Sequence, residues 1–285
     1  MTPNGVKQLS VRRIALSAAM VFAMFSLLRA SDLFQPYRLV NLQTAGILPK
    51  ASFDLSFRIY ASPDGVSGLL PGVNVGLTNR LNVGLAYGGE GIIGYSTDVR
   101  WNRFPGILLK YRVIEEKIVL PALVIGFDNQ GDGGLTDAFR YGYDGYVYKS
   151  PGFFVSLSKN YLMLKTVQIG FHGTANYSIE EANEVFWPNF AGGIDIGINE
   201  ELMFTAEYDF ALNDITGKGN DKNKGLPYCG FMNIGLRWAF TENFYIEFDL
   251  LDIFENKTRY PYLRPEHREP VGWSRELKVT YISKF

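Results

Sequence analysis

From about residue 50 onward, apolar and polar side chains alternate along the chain, and the alternation keeps one parity within each segment. Phe53, Leu55, Phe57 and Ile59 alternate with Asp54, Ser56 and Arg58; Leu81, Val83, Leu85 and Tyr87 alternate with Asn82, Gly84 and Ala86. A period of two makes a strand with one apolar and one polar face. The same rule holds around Val73–Leu77, Leu109–Val113, Val167–Phe171, Ile194–Ile196, Phe204–Tyr208 and Ile234–Trp238. With 119–127, 153–157, 244–250 and the terminal run ELKVTYISKF, the pattern predicts about twelve strands.

The connections alternate in length. Tight turns are expected at Asn79-Arg80, Glu115-Glu116, Lys159-Asn160, Asn199-Glu200 and Glu242-Asn243. Long polar loops are expected at 61–70, 88–105, 129–141, 178–186, 213–227 and 255–273. An even strand count with short turns at one end and long loops at the other is the layout of an antiparallel transmembrane β-barrel with both termini on the periplasmic side. Inward positions should then be polar or tiny. They include Asp54, Arg58, Lys110, Arg112, Asp195, Glu207, Asp209, Arg237, Glu247, Asp249 and Lys278, with Gly76, Gly84, Gly126, Gly170 and Gly235. A soluble sandwich would instead bury the apolar faces against each other in a dry core. In lipid the sheet must close, because an open edge has no water to bond.

The first fifty residues break the rhythm. Lys7, Arg12 and Arg13 precede an apolar stretch from Ile14 to Leu28 and a small residue at Ala30, so 1–30 read as a secretory signal peptide. Residues 31–50 lack alternation and contain Pro36 and Pro49; they read as a periplasmic stub or a plug, ahead of a barrel at 51–285. Beyond the signal, no run of eighteen apolar residues offers a helical span. A lone Cys229 rules out an internal disulfide, and a net charge of -1 gives no reason to expect nucleic acid. Aromatics at 15% and 30 glycines suit an all-β chain.

Candidate chemistry is sparse. His172 and Thr174 share the inward face. Outer-membrane phospholipases place a histidine and a serine two apart, but toward lipid, so His172 reads as a lumenal hydrogen-bonding group; a hydrolase would need a serine hydroxyl beside it. His267 reads as solvated, and two histidines do not suggest a metal site. Asp128 to Gly134, DNQGDGG, departs from the calcium-loop pattern at Gln130 and at Phe139 and reads as a flexible outer loop, as does 217–225. The lumenal bases Arg58, Lys110, Arg112, Arg237 and Lys278 either form a ladder for acidic sugar or pair with lumenal acids such as Glu207 and Asp209 and fill the interior. No cofactor is expected.

Two resemblances add to this reading. The end of the chain, with Leu277, Val279, Tyr281 and a closing Phe285, resembles the assembly signal of bacterial outer-membrane barrels, which implies the barrel-assembly machinery and outer-membrane lipid as partners. Residues 105–134, PGILLKYRVIEEKIVLPALVIGFDNQGDGG, followed by SPGFFVSLSKNYLML at 150–164, resemble the YjbH-like barrels associated with exopolysaccharide, with Pro121, Gly126, Asp128, Ser158 and Lys159 at the matched positions. The resemblance implies a non-enzymatic pore or scaffold for surface polysaccharide, with anionic polysaccharide as a partner. A structural or adhesive barrel with a plugged lumen is the alternative.

Overall fold

A computed structural model describes residues 35–61, 67–94, 98–136, 145–163, 167–180, 187–199, 201–214, 216, 229–258, 263, 267 and 269–285. The signal-peptide expectation on 1–30 and the loop reading of 217–225 lie outside them. The strands are β1 (Ser52–Ala61), β2 (Ser67–Gly76), β3 (Leu81–Ala86), β4 (Gly89–Glu90), β5 (Arg100–Trp101), β6 (Gly106–Ile114), β7 (Ala122–Asp128), β8 (Asp132–Thr136), β9 (Gly145–Tyr148), β10 (Gly152–Met163), β11 (Val167–Tyr177), β12 (Asn189–Gly197), β13 (Leu202–Asp209), β14 (Phe231–Thr241), β15 (Phe244–Leu251) and β16 (Ser274–Lys284).

Twelve of these form a closed antiparallel ring: β1, β2, β3, β6, β7, then β10 through β16, with β16 returning to β1. The seam is long, running in register from Ser52 opposite Lys284 to Ala61 opposite Arg275. Closure satisfies every edge, which is the condition for a sheet surrounded by hydrocarbon. The twelve alternating segments of the sequence are these twelve strands. The short pairs β4–β5 and β8–β9 lie in the connections and carry no alternation long enough to predict them.

Side-chain direction follows the pleat. Leu55, Phe57, Leu85, Leu109, Ile125, Val155, Leu157, Phe171 and Phe248 are exposed on the outer wall, while Asp54, Lys110 and Asp195 are 0% exposed inside it. Aromatic residues cluster toward both rims. Tyr87 stacks on Trp101 at 5.7 Å near one, and Trp238, Phe240 and Phe244 form an edge-to-face series at 5.5 and 6.4 Å near the other. An apolar band between two aromatic girdles is the exterior of a transmembrane β-barrel.

Three sequence expectations need correction. Lys159-Asn160 is not a turn: β10 continues to Met163, with Lys159 paired to Phe171, because Tyr161 and Met163 keep the outward alternation going. The connection after β1 is shorter than 61–70, since β2 begins at Ser67. The inward face is not uniformly polar or tiny, because Leu70, Val124 and Phe154 point inward and are buried. Something apolar must meet them.

That partner is the stretch beginning at Gln35. Arg38 bridges Gln43 in antiparallel fashion, and the Leu39 amide donates to the Leu42 carbonyl at 3.0 Å, so the chain makes a small hairpin with its tip at Val40-Asn41. Both of its ends lie at the rim where the chain's last strand finishes, Gln35 donating to Glu116 at 3.0 Å and Pro49 lying against Gly76. Its tip reaches the opposite end, where Val40 packs with Val147, Tyr148, Phe231, Leu251 and Val271. Its returning arm packs Ala45 and Ile47 against Ala122, Val124, Phe154 and Leu108. Inward glycines make room for it. A methyl group at Gly76 would strike the Pro49 carbonyl, and one at Gly193 would strike Leu39.

Candidate functional site

The wall holds the hairpin mainly by its backbone. Lys110 donates through Nζ to the Tyr37 carbonyl at 2.6 Å, Lys278 to the Val40 carbonyl at 2.9 Å, and Arg112 to the Ala45 carbonyl at 3.1 Å; Arg237 reaches the Arg38 carbonyl at 3.3 Å. Glu207 accepts the Asn41 and Leu42 amides at 2.8 and 2.9 Å. Ser156 and Thr174 both donate to the Gln43 carbonyl, at 2.7 and 2.6 Å. Residues on β6, β10, β11, β13, β14 and β16 therefore all converge on one short segment. Buried backbone groups outside a ladder need such partners.

The same charged side chains also bind each other across strands. Arg58 on β1 pairs with Glu276 on β16 and with Asp132 on β8; Arg237 pairs with Glu247; Lys278 pairs with Glu247 at 3.0 Å and Asp249 at 2.7 Å. Asp132 also takes Arg38 of the hairpin at 2.6 Å. Thus the DNQGDGG stretch corrects its sequence reading. Asp128 accepts Gln43 Nε2 at 2.8 Å, and Asp132 ties hairpin to wall, so both aspartates of this stretch face the lumen. Glycines and polar residues gave a loop signal, but the charge partners are far away in sequence.

His172 lies inside, as its parity predicts, and is joined to two groups. Its Nδ1 is 2.7 Å from Ser158 Oγ, and its Nε2 is 2.6 Å from Asp195 Oδ1. A serine does stand beside the histidine, but it comes from β10 and not from Thr174, which pairs with Ser156 at 2.8 Å. The order serine, histidine, aspartate resembles a nucleophile relay. Ser158 Oγ also accepts the Ala45 amide of the hairpin at 2.8 Å, and the serine is 2% exposed. With Nε2–H donated to the aspartate, Nδ1 is left to accept the serine proton, and the serine lone pair holds the hairpin. A fluorophosphonate should leave Ser158 of the intact protein unlabelled. Ser158→Ala should cost about 1–3 kcal/mol by stranding the Ala45 amide, read as an earlier urea midpoint in vesicles.

Asp209 accepts Asn189 Nδ2 and the Ala211 amide, both at 2.7 Å, at the far end of β13. His267 and Phe285 are exposed. Phe285 stacks on Phe53 at 5.2 Å, and Tyr281 lies 6.4 Å from the same ring, so these outer aromatics of the last strand meet across the seam; Leu277 and Val279 also face outward. Cys229 is half-buried.

Two cavities flank the hairpin. One, of about 900 Å³ with its openings included, runs beside β1, β2, β3, β15 and β16, from Ile282 and Tyr245 near the terminal rim to Gly106 and Gln130 near the other. Its wall carries Arg58, Arg237 and Lys278, each already engaged by a carboxylate. The second, of about 720 Å³ with its mouth included, lies between hairpin residues 41–43 and β11 to β14.

Beyond the wall, residues of the connections line this second cavity. Lys257 donates to Asp214 at 2.6 Å while lying over the rings of Tyr148 and Phe231. Burial alone would raise the Asp214 carboxyl, but Lys257 and two hydrogen bonds from Thr216 outweigh it and hold the group below its ordinary range. Since its folded value lies below the unfolded one, its contribution is complete above about pH 4 and is lost as pH falls further. Protease cleavage of this region should rise on acidification below that point, and Asp214→Asn should abolish the dependence.

Fold and site together define a transmembrane β-barrel whose interior is occupied by its own N-terminal hairpin. No family model matches the chain, and no curated protein matches it. Among solved structures it is similar to the KdgM porin (9% identity, 80% of this chain and 98% of that chain, TM-score 0.44) and the NanC porin (11% identity, 82% and 99%, TM-score 0.43). It is also similar to the Acinetobacter baumannii outer membrane protein Omp33 (9% identity, 83% and 99%, TM-score 0.40).

Proposed function

We propose that the chain is a non-enzymatic outer-membrane barrel that works as a plugged scaffold with a narrow side passage, serving the export or organisation of surface polysaccharide. The observation that carries the closed state is the hairpin of 35–50, gripped by six strands of the wall. The first cavity is the route left beside it, and its engaged bases leave room for small solutes rather than for a polymer. Placement in the outer membrane is supported by the apolar exterior and by the basic and apolar pattern of residues 7–28. The polysaccharide setting rests on the resemblance of residues 105–134 and 150–164 to the YjbH-like barrels. Planar-bilayer recordings of the intact protein should show little or no steady conductance, unchanged by acidic oligosaccharide. A large, stable open channel would refute the plugged reading.

Phe285 is the group proposed to be read by the barrel-assembly machinery, and its ring sits at the outer end of the seam against Phe53. Phe285→Ala should lower the heat-modifiable, folded fraction recovered from outer membranes. An undiminished yield would remove that role.

A further inference from the structure

The second cavity has a chemistry of its own. Glu207 and Asp209 stand two apart on the inward face of β13, and among the described residues neither has a cationic side chain within ion-pair distance, unlike Glu247 beside the first cavity. Asp209 uses Oδ1 for both of its bonds and leaves Oδ2 open. Asn213 lines the same space and is only 4% exposed, yet its carboxamide bonds no described residue; only its backbone carbonyl is taken, by Lys149 at 3.1 Å. The turn that carries it is fixed: Ala211 sits at φ 51, its amide is held by Asp209, and the Leu212 amide donates to Asn189 at 2.9 Å. The donor and the acceptor of this amide are therefore both available to a group that enters the cavity.

We propose that this cavity is a binding subsite for a polyhydroxylated amine, an amino-sugar unit, with its ammonium toward Asp209 and Glu207 and a hydroxyl toward Asn213. The two uncompensated carboxylates select the positive charge, and they disfavour an acidic sugar at the same place. The mixed donor and acceptor character of the amide matches a hydroxyl, which can do both. The assignment deepens the glycan reading of the barrel by naming the kind of sugar unit, and it rests on that reading.

The test is calorimetric titration of the full-length protein in detergent with three probes: a glucosamine trimer, an N-acetylglucosamine trimer and a galacturonic acid trimer. The glucosamine trimer should bind, the acetylated trimer at least about tenfold more weakly for want of its charge, and the acidic trimer not measurably. Asp209→Asn and Asn213→Leu should each weaken glucosamine-trimer binding by about tenfold, with an unchanged heat-modifiable shift reporting an intact barrel. Equal binding of the acetylated or acidic trimer, unchanged affinity in both variants, or no binding of the glucosamine trimer overturns the proposal. A closed intact barrel that ignores all three sugars would remove this subsite and leave the plugged state standing. Sugar binding by a barrel found open would do the reverse.

Discussion

Removing residues 35–50, with residue 34 joined to Ala51, should turn a barrel with little or no conductance into one with steady openings in a planar bilayer. The wall does not need the hairpin for its own hydrogen bonding. Its twelve strands pair with each other, β2 adding only the short β4, and the seam between β1 and β16 starts at Ser52, beyond the deletion. What the deletion takes away is the material that fills the bore, from Pro36 at one rim to Val40 near the other. Lys110, Lys278, Glu207 and Ser158 then lose their backbone partners but gain water, so the groups that held the hairpin become the lining of an aqueous path. A deletion variant that folds, judged by its heat-modifiable shift, yet conducts no better than the intact protein would show that the wall's own side chains close the bore. The plug would then have no role in closure.

The second large effect is expected from Glu247→Ala. Glu247 is buried between Arg237 and Lys278 and bonds to both. Its loss leaves two cations sharing the inner wall with Asp249, and breaking a buried pair from one side costs about 3–5 kcal/mol. Urea unfolding in lipid vesicles should show a midpoint displaced accordingly. Arg237→Met combined with Glu247→Met should recover much of the loss, since replacing both members of a buried pair by apolar groups of similar volume is far cheaper than stranding one. If the single variant unfolds with the wild-type midpoint, the ion pairs do not stitch the strands together.

The wall was legible in the sequence because it is periodic. In a strand, which face a side chain takes is decided by parity alone, so Leu55 and Phe57 could be sent outward and Asp54 and Arg58 inward without any knowledge of partners. The contents of the lumen were not legible in the same way. The hairpin has no repeat, and its bounds are marked only by Pro36 and Pro49, residues equally at home in a tail. Its seat is written across Lys110, Ser156, Ser158, Thr174, Glu207 and Lys278, which are separated by up to a hundred and more residues and share only their inward parity. Ser158 shows the limit most clearly. A histidine–serine spacing of two points along the same strand, where Thr174 stands, whereas the true neighbour lies across the hydrogen-bond ladder, with Ser158 opposite His172 in the register of β10 and β11. Inward Phe154 and Val124 carried a signal that could have been used, because apolar side chains facing a supposedly wet lumen call for something to cover them.

Lys278, on the strand that closes the ring, is hydrogen-bonded to Val40, in the hairpin that precedes the first strand of the ring. The same strand zips onto Ser52–Ala61 to finish the cylinder. Closing the cylinder and holding its contents therefore fall to one strand, and a chain cut before residue 274 would lack both a finished rim and one of the anchors of its filling.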